Sequence, residues 1–233
     1  MKKYIRKDLQ TKCLRYLSYK LGDRIPAYGK EKVFLGIKTQ KSIIKGDSCN
    51  AFKFSMENHW GTHIDGPAHF FKAAKTVADY PAENWFFTKP CIIELSSDED
   101  KIIGLDEVKS KVKIGHDILL LKTCFGRFRG KRVYSFNNPV VDAKIGLWLR
   151  SERPNIRVIG LDLISLGSHN KRELARQAHR AFLNPRGKGS PILIIEDMDL
   201  SCNLSGLIRV IVAPLLIMNI DSAPCTVYGI FNK

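Results

Sequence analysis

Short apolar runs rich in β-branched residues punctuate this chain: VFLGIK from Val33, AFKFSM from Ala51, CIIEL from Cys91, DILLLK from Asp117, IRVIGLD from Ile156, PILIIE from Pro191, LIRVIVA from Leu207 and CTVYGIF from Cys225. Runs of this length, bounded by Gly, Pro and charged residues, predict strands. Two segments follow a longer period. In Val140 to Arg150, VVDAKIGLWLR, residues Val141, Ile145 and Trp148 share a helical face. Asn170 to Leu183 opens with Asn170 and Glu173 at capping-box spacing and stops before Pro185 and Gly187, so it too predicts a helix. Many strands with few helices predict an α/β fold.

Composition narrows the classes. With 233 residues and 44% hydrophobic content the chain can bury one core. No repeat, low-complexity tract or Gly/Ser linker divides it, so a single domain over residues 1–233 is expected. The opening MKKYIRKDLQTK is charged and lacks an apolar signal-peptide stretch, and the longest apolar run, VIVAPLLIM, is too short to span a bilayer. A cytoplasmic protein without a membrane segment is expected. The six cysteines form no CxxC pair, which argues against a disulfide framework or a thiolate zinc site.

The net charge of +15 raises the question of an anionic partner. Its carriers are the N-terminal segment, KSKVK at Lys109 to Lys113 and RFRGKR at Arg127 to Arg132. None is interleaved with the aromatics of a base-stacking surface, so a basic solvated face, without specific nucleic-acid binding, is the expectation. The rival from another class is a non-catalytic basic protein that binds nucleic acid or an acidic partner. Steep salt dependence would mark that rival, and chelator sensitivity a metal enzyme.

The chemistry concentrates in NHWGTHIDGPAHFF, Asn58 to Phe71, which holds three of the six histidines. Gly61, Thr62, Ile64, Gly66 and Pro67 disfavour helix, and an extended chain would turn His59, Gly61, His63 and Asp65 to one side. Gly61 would then leave room between the imidazoles. Two imidazoles and a carboxylate suit Zn²⁺, Mn²⁺ or Fe²⁺. Pro67 should turn the chain so that His69 returns from another direction. Later in the chain, His179 lies beside a stripe of Leu174, Ala178, Ala181 and Phe182, where it is either a core-edge histidine or a further ligand. Glu196 shares parity with Ile192 and Ile194, which sends a carboxylate to the buried face unless the strand is already finished at Ile195.

These residues resemble the cyclase-like metal-dependent hydrolase family, which includes bacterial kynurenine formamidase and isatin hydrolase. Its hallmark HxGTHxDxPxHF is met at every fixed position from His59 to Phe70. Weaker similarity runs through LSYKLGDRIPAYG, IGHDILLLKT, VVDAKIGLWL, IRVIGLDLIS and the stretch from His179 to Leu200. The resemblance implies a compact α/β domain with a central β-barrel-like mixed sheet flanked by helices, assembled as a homodimer or homotetramer. It implies one metal on His59, His63 and Asp65, a second ion completed by His179 and Glu196 with Asp65 bridging, and His69 as catalytic acid/base. Tyr28 stands at the position of the formamidases' substrate-contacting tryptophan. The expected activity is hydrolysis of an amide-type or ester/lactone bond in a small molecule, with one or two Zn²⁺ or Mn²⁺ ions. Within the same class, the alternatives are an arylformamidase acting on N-formylkynurenine and an isatin-hydrolase-like enzyme using Mn²⁺.

Overall fold

In the computed structural model, which describes residues 12–22 and 24–232, most of the apolar runs become strands of one sheet. The charged opening segment, residues 1–11, lies outside the described residues. The strands in chain order are β1 (Lys12–Tyr16), β2 (Ile25–Ala27), β3 (Lys30–Val33), β4 (Gly36–Lys41), β5 (Ala51–Ser55), β6 (His63–Asp65), β7 (Phe86–Phe87) and β8 (Pro90–Glu94). They continue with β9 (Ile102–Ile103), β10 (Ile118–Lys122), β11 (Val140–Val141), β12 (Val158–Leu161), β13 (Leu193–Glu196), β14 (Leu207–Pro214) and β15 (Ser222–Asn232). The α-helices are α1 (Leu105–Lys109), α2 (Arg132–Phe136), α3 (Ala143–Glu152) and α4 (Arg172–Leu183).

The main sheet runs β7-β14-β15-β6-β13-β12-β10-β8, with β1 added on β15. From β8 through β10 and β12 to β13 the pairing is parallel, and the rest is antiparallel. Since β14 also approaches β8, the mixed sheet curls into a nearly closed barrel, the α/β class the sequence predicts.

Burial on both faces explains why the central runs lack alternation. Leu119 and Leu121 of β10 pack outward with Ile145 and Leu149 of α3 and Phe182 of α4. Ile118 and Leu120 point into the barrel, beside Ile64, Val210, Val227 and Phe231. The space there is tight: a Cβ on Gly160 would come within 2.4 Å of Met198 Sδ.

Local details depart from the sequence expectations. VFLGIK is not one strand; it divides between the β2–β3 and β4–β5 hairpins. The helix expected from Val140 starts at Ala143, because Val140 and Val141 pair with β9 and Asp142 caps α3 by accepting from the Lys144 amide. Asn170 and Glu173 form no capping box. Ser168 instead caps a 3-10 turn, His169–Lys171, that precedes α4. Leu174 is exposed, and Ala175 takes its place on the buried face of α4.

Beyond α4, Arg150 holds the irregular segment that leads to β13. Its guanidinium, on a residue only 3% exposed, donates to the carbonyls of Ala181 (2.8 Å), Asn184 (2.6 Å) and Gly189 (3.0 Å).

Candidate metal centre

Register builds the heart of the site. In the antiparallel pair of β6 and β13, His63 stands opposite Glu196 and Asp65 opposite Ile194. Residues two apart on a strand share a face, so His63, Asp65 and Glu196 meet there. Strand β13 runs on through Glu196, which is buried.

His59 arrives by a different route from the expected one. The extended segment is only His63–Asp65, and His59 lies in a turn before it. Gly61 takes φ +69°, in the left-handed region, and a Cβ there would meet Leu21 Cδ2 at 2.4 Å, not the imidazoles. Its carbonyl accepts from His63 Nδ1 at 2.8 Å. Pro67–His69 is a 3-10 turn, which brings the His69 ring to 4.4 Å from that of His59 and 5.8 Å from that of His179.

Six candidate residues thus converge. His59, His63, His69, His179, Glu196 and Tyr28 line one cavity of about 560 Å³, with Asp65 buried behind them. His59 Nδ1 lies 3.2 Å from Asp65 Oδ1, and His63 Nε2 lies 3.6 Å from the same oxygen and 3.4 Å from Glu196 Oε2. His179 Nε2 is 3.2 Å from Glu196 Oε1. That oxygen also accepts from Ser165 Oγ and the Leu166 amide.

The hydrogen bonds fix one proton on each of two rings. A carbonyl can only accept, so the bonds from His63 Nδ1 to Gly61 and from His179 Nδ1 to Ala175 (2.7 Å) put the proton on Nδ1 in both rings. Each Nε2 faces the site. His63 Nε2 and both carboxylate oxygens of Asp65 are buried without a hydrogen-bond partner. Such orphaned atoms are costly in a folded protein, and a divalent cation satisfies all three at once. The donor set of imidazole nitrogens and a carboxylate fits such an ion. One ligand atom each from His59, His63 and Asp65 lie within 4.8 Å of one another, as do those of Asp65, His69 and His179. Among the described residues, the second triad therefore joins His179 with His69, and Glu196 flanks it.

The charges respond to this crowding. Burial works to lower the His59 pKa, but pairing with Asp221 and Asp65 outweighs it and raises the value to about 10. Burial likewise opposes ionisation of Glu196, yet His179 and His63 hold its pKa at about 2. Asp65 sits well below the usual carboxylate range, its burial overcome by His59, His63 and His69.

Asp221 is the member that sequence reasoning missed. Its Oδ2 accepts from His69 Nδ1 at 2.6 Å and His59 Nε2 at 3.1 Å, while Asn58 Nδ2 donates to Oδ1 at 2.8 Å. Bonds from these two histidines first, then their charge, hold its carboxyl well below the ordinary range.

At the mouth, Tyr28 is 37% exposed, and its hydroxyl is pushed up to about 12, first by burial and then by Glu196, with Arg172 and Arg176 opposing. The basic segment Arg127 to Arg132 is partly structural. Arg129 pairs with buried Asp197 at 2.7 Å, and the Tyr134 hydroxyl donates to the same carboxylate at 2.6 Å.

The Cyclase family model matches residues 16–168, which include the histidine cluster. The chain belongs to the cyclase family. Among its relatives, the kynurenine formamidase of Geobacillus thermodenitrificans is 27% identical over 210 residues, covering 89% of this chain and 92% of the relative. The kynurenine formamidase of Bacillus cereus is 33% identical over 179 residues, 76% of this chain and 78% of its own. In fold the chain is similar to isatin hydrolase A from Labrenzia aggregata, with a TM-score of 0.81 at 18% identity over 100% of this chain and 99% of the other.

Proposed function

We propose that this cyclase-family enzyme is a metal-dependent hydrolase that cleaves an amide-type bond (a formamide, cyclic amide or imide) or an ester or lactone in a small molecule. The observation that carries the reading is the trio of orphaned atoms, His63 Nε2 and both Asp65 oxygens, buried at the end of an open cavity. In this reading His59, His63 and Asp65 hold a divalent ion, Zn²⁺ or Mn²⁺, and His179 with Glu196 and Asp65 offers a second position. When bound, the ion supplies Lewis acidity toward a carbonyl and makes water a nucleophile near neutral pH.

The chain's own groups do the remainder. His69 moves the proton between water and leaving group, with Asp221 on its Nδ1 fixing the ring and its tautomer, the logic by which a carboxylate orients any catalytic imidazole. Ser165 and the Leu166 amide hold Glu196 in place. Tyr28 contacts the substrate at the mouth. The names of the relatives favour hydrolysis of an N-formyl arylamine, an arylformamidase activity toward N-formylkynurenine included.

The reading also takes residues 1–233 as one domain and the protein as cytoplasmic; no helix of the described residues is long and apolar enough to cross a membrane. It includes a homodimer or homotetramer. The β4–β5 hairpin supports this, since Ile37, Phe52 and Phe54 are 55 to 61% exposed on two strands that would be marginal alone. A monomer by light scattering would refute that part. Specific nucleic-acid binding is not part of the function.

The test is a panel of N-formyl arylamines, isatin, lactones and cyclic imides offered to Zn²⁺- and Mn²⁺-loaded protein. Turnover of at least one compound, abolished by chelator and restored by metal, is expected. Wild-type protein that takes up no more metal than His63→Ala would refute the reading.

A further inference from the structure

Around the mouth of the cavity, cations outnumber anions. Lys30, Arg172 and Arg176 line it, and among the described lining residues the one carboxylate is Glu196, in the depth. Lys30 has a solvent-facing partner in Glu57 at 3.3 Å and Arg176 one in Glu173 at 3.6 Å. Arg172 is different: its Nη2 donates to His169 Nε2 at 2.5 Å, and no carboxylate among the described residues pairs with it.

The position of Arg172 is built. A guanidinium has no lone pair to offer, so in this contact His169 accepts on Nε2. Its ring is set edge-on against Tyr28 (5.4 Å) and Phe136 (5.3 Å). It also lies over the backbone at Gly29, where φ is +68° and a Cβ would come within 2.4 Å of His169 Cδ2. The Tyr28–Gly29 turn therefore seats His169, and His169 holds the guanidinium beside the cavity with its other donors free for a planar anion.

We propose that Arg172, positioned by His169, binds a carboxylate on the substrate, so that the enzyme selects hydrolysable molecules carrying an anionic group remote from the scissile bond. This rests on the hydrolase reading and adds a substrate class to it. Lys30 and Arg176 raise the local concentration of such anions without a fixed contact.

The test compares kcat/KM for 2-, 3- and 4-formamidobenzoate with that for neutral formanilide on the metal-loaded enzyme. A charge-assisted contact at a solvent-exposed mouth predicts a preference of about tenfold for at least one carboxylate isomer. Arg172→Gln should bring the ratio close to one, and Arg172→Lys, which keeps the charge but loses the planar fork, should leave it between the two. A ratio near one in wild type for all three isomers, or a preference that survives Arg172→Gln, overturns the proposal. A second arm titrates the metal-loaded protein calorimetrically with 3- and 4-acetamidobenzoate against acetanilide. If no formamide is turned over, tighter binding of a carboxylate ligand that Arg172→Gln abolishes still upholds the anion site, and the failure falls on the choice of scissile bond. Equal binding of charged and neutral ligands in that arm overturns it.

Discussion

Replacing Asp221 by Asn keeps its shape and removes its charge, which makes it a direct probe of how the two histidines are held. One oxygen accepts from both His69 Nδ1 and His59 Nε2, at 2.6 and 3.1 Å. A hydrogen bond to a charged group contributes about 1.5 to 3 kcal/mol. The Asp221 side chain is 32% exposed, so solvent screening places each bond at the low end, together roughly 3 kcal/mol. The Asn carbonyl can still serve one ring as a neutral acceptor, which returns about 1 kcal/mol. A net loss of about 2 kcal/mol corresponds to roughly 30-fold, within the range of about 10- to 100-fold for residues that orient a metal ligand. At saturating metal, Asp221→Asn should therefore lower kcat/KM about 30-fold while still binding the ion, with affinity weakened through His59. Steady-state kinetics across a metal titration, with elemental analysis of the same samples, decides it. Kinetics equal to wild type at saturating metal would refute the reasoning. Loss of all bound metal would refute it differently, because His59, His69 and Asp221 also lie close enough to form a ligand triad of their own.

Other outcomes follow from the same geometry. His63→Ala should lose metal and activity together, whereas His69→Ala should keep its metal and lose about 10²- to 10⁴-fold in turnover; metal-depleted His69→Ala, or normal turnover by it, would contradict the assignment. Metal binding should release protons. Metal-free His59, with its pKa raised to about 10, is protonated at pH 7.5, and a ligand nitrogen must be neutral, so apparent affinity should climb about tenfold per pH unit for each proton displaced. Calorimetry in buffers of different ionisation heats measures this, and zero protons released would exclude His59 as a ligand. Arg150→Met should destabilise the metal-loaded protein by roughly 2 to 4 kcal/mol in urea denaturation, because four backbone carbonyls, of Ala181, Asn184, Gly189 and Ser190, lose their donor. A change under about 1 kcal/mol would show that the segment after α4 holds itself.

Three members of the site, His63, Asp65 and Glu196, were legible from two local rules, and the motif from His59 to Phe70 pointed to His59 and His69. Strand parity places His63 with Asp65, and a carboxylate ending an apolar run marks Glu196. What parity could not supply was the path of the chain. His59 enters from a turn that needs the left-handed Gly61, a conformation no apolar pattern reveals. Asp221 is 152 residues from His69, in a loop between β14 and β15 that carries no periodic signal, so only the pairing of β15 with β6 brings it close. The same limit explains the division of VFLGIK: its residues are apolar enough for a strand, but the hairpin pairings, not propensity, decide where each strand stops.

Asp65 is 0% exposed, with neither oxygen hydrogen-bonded and its charge faced within the protein by His59 and His63. In the proposed function a cation is its partner, and Asp65 then also couples the fold to metal supply. A ligand that binds only the folded state stabilises it by about 2.7 kcal/mol at a free concentration 100 times its dissociation constant. Scarcity withdraws that increment and raises the unfolded fraction, on which proteases act. A cell short of the ion would then lose the protein itself, and the amount of this enzyme would follow metal availability with no change in its synthesis.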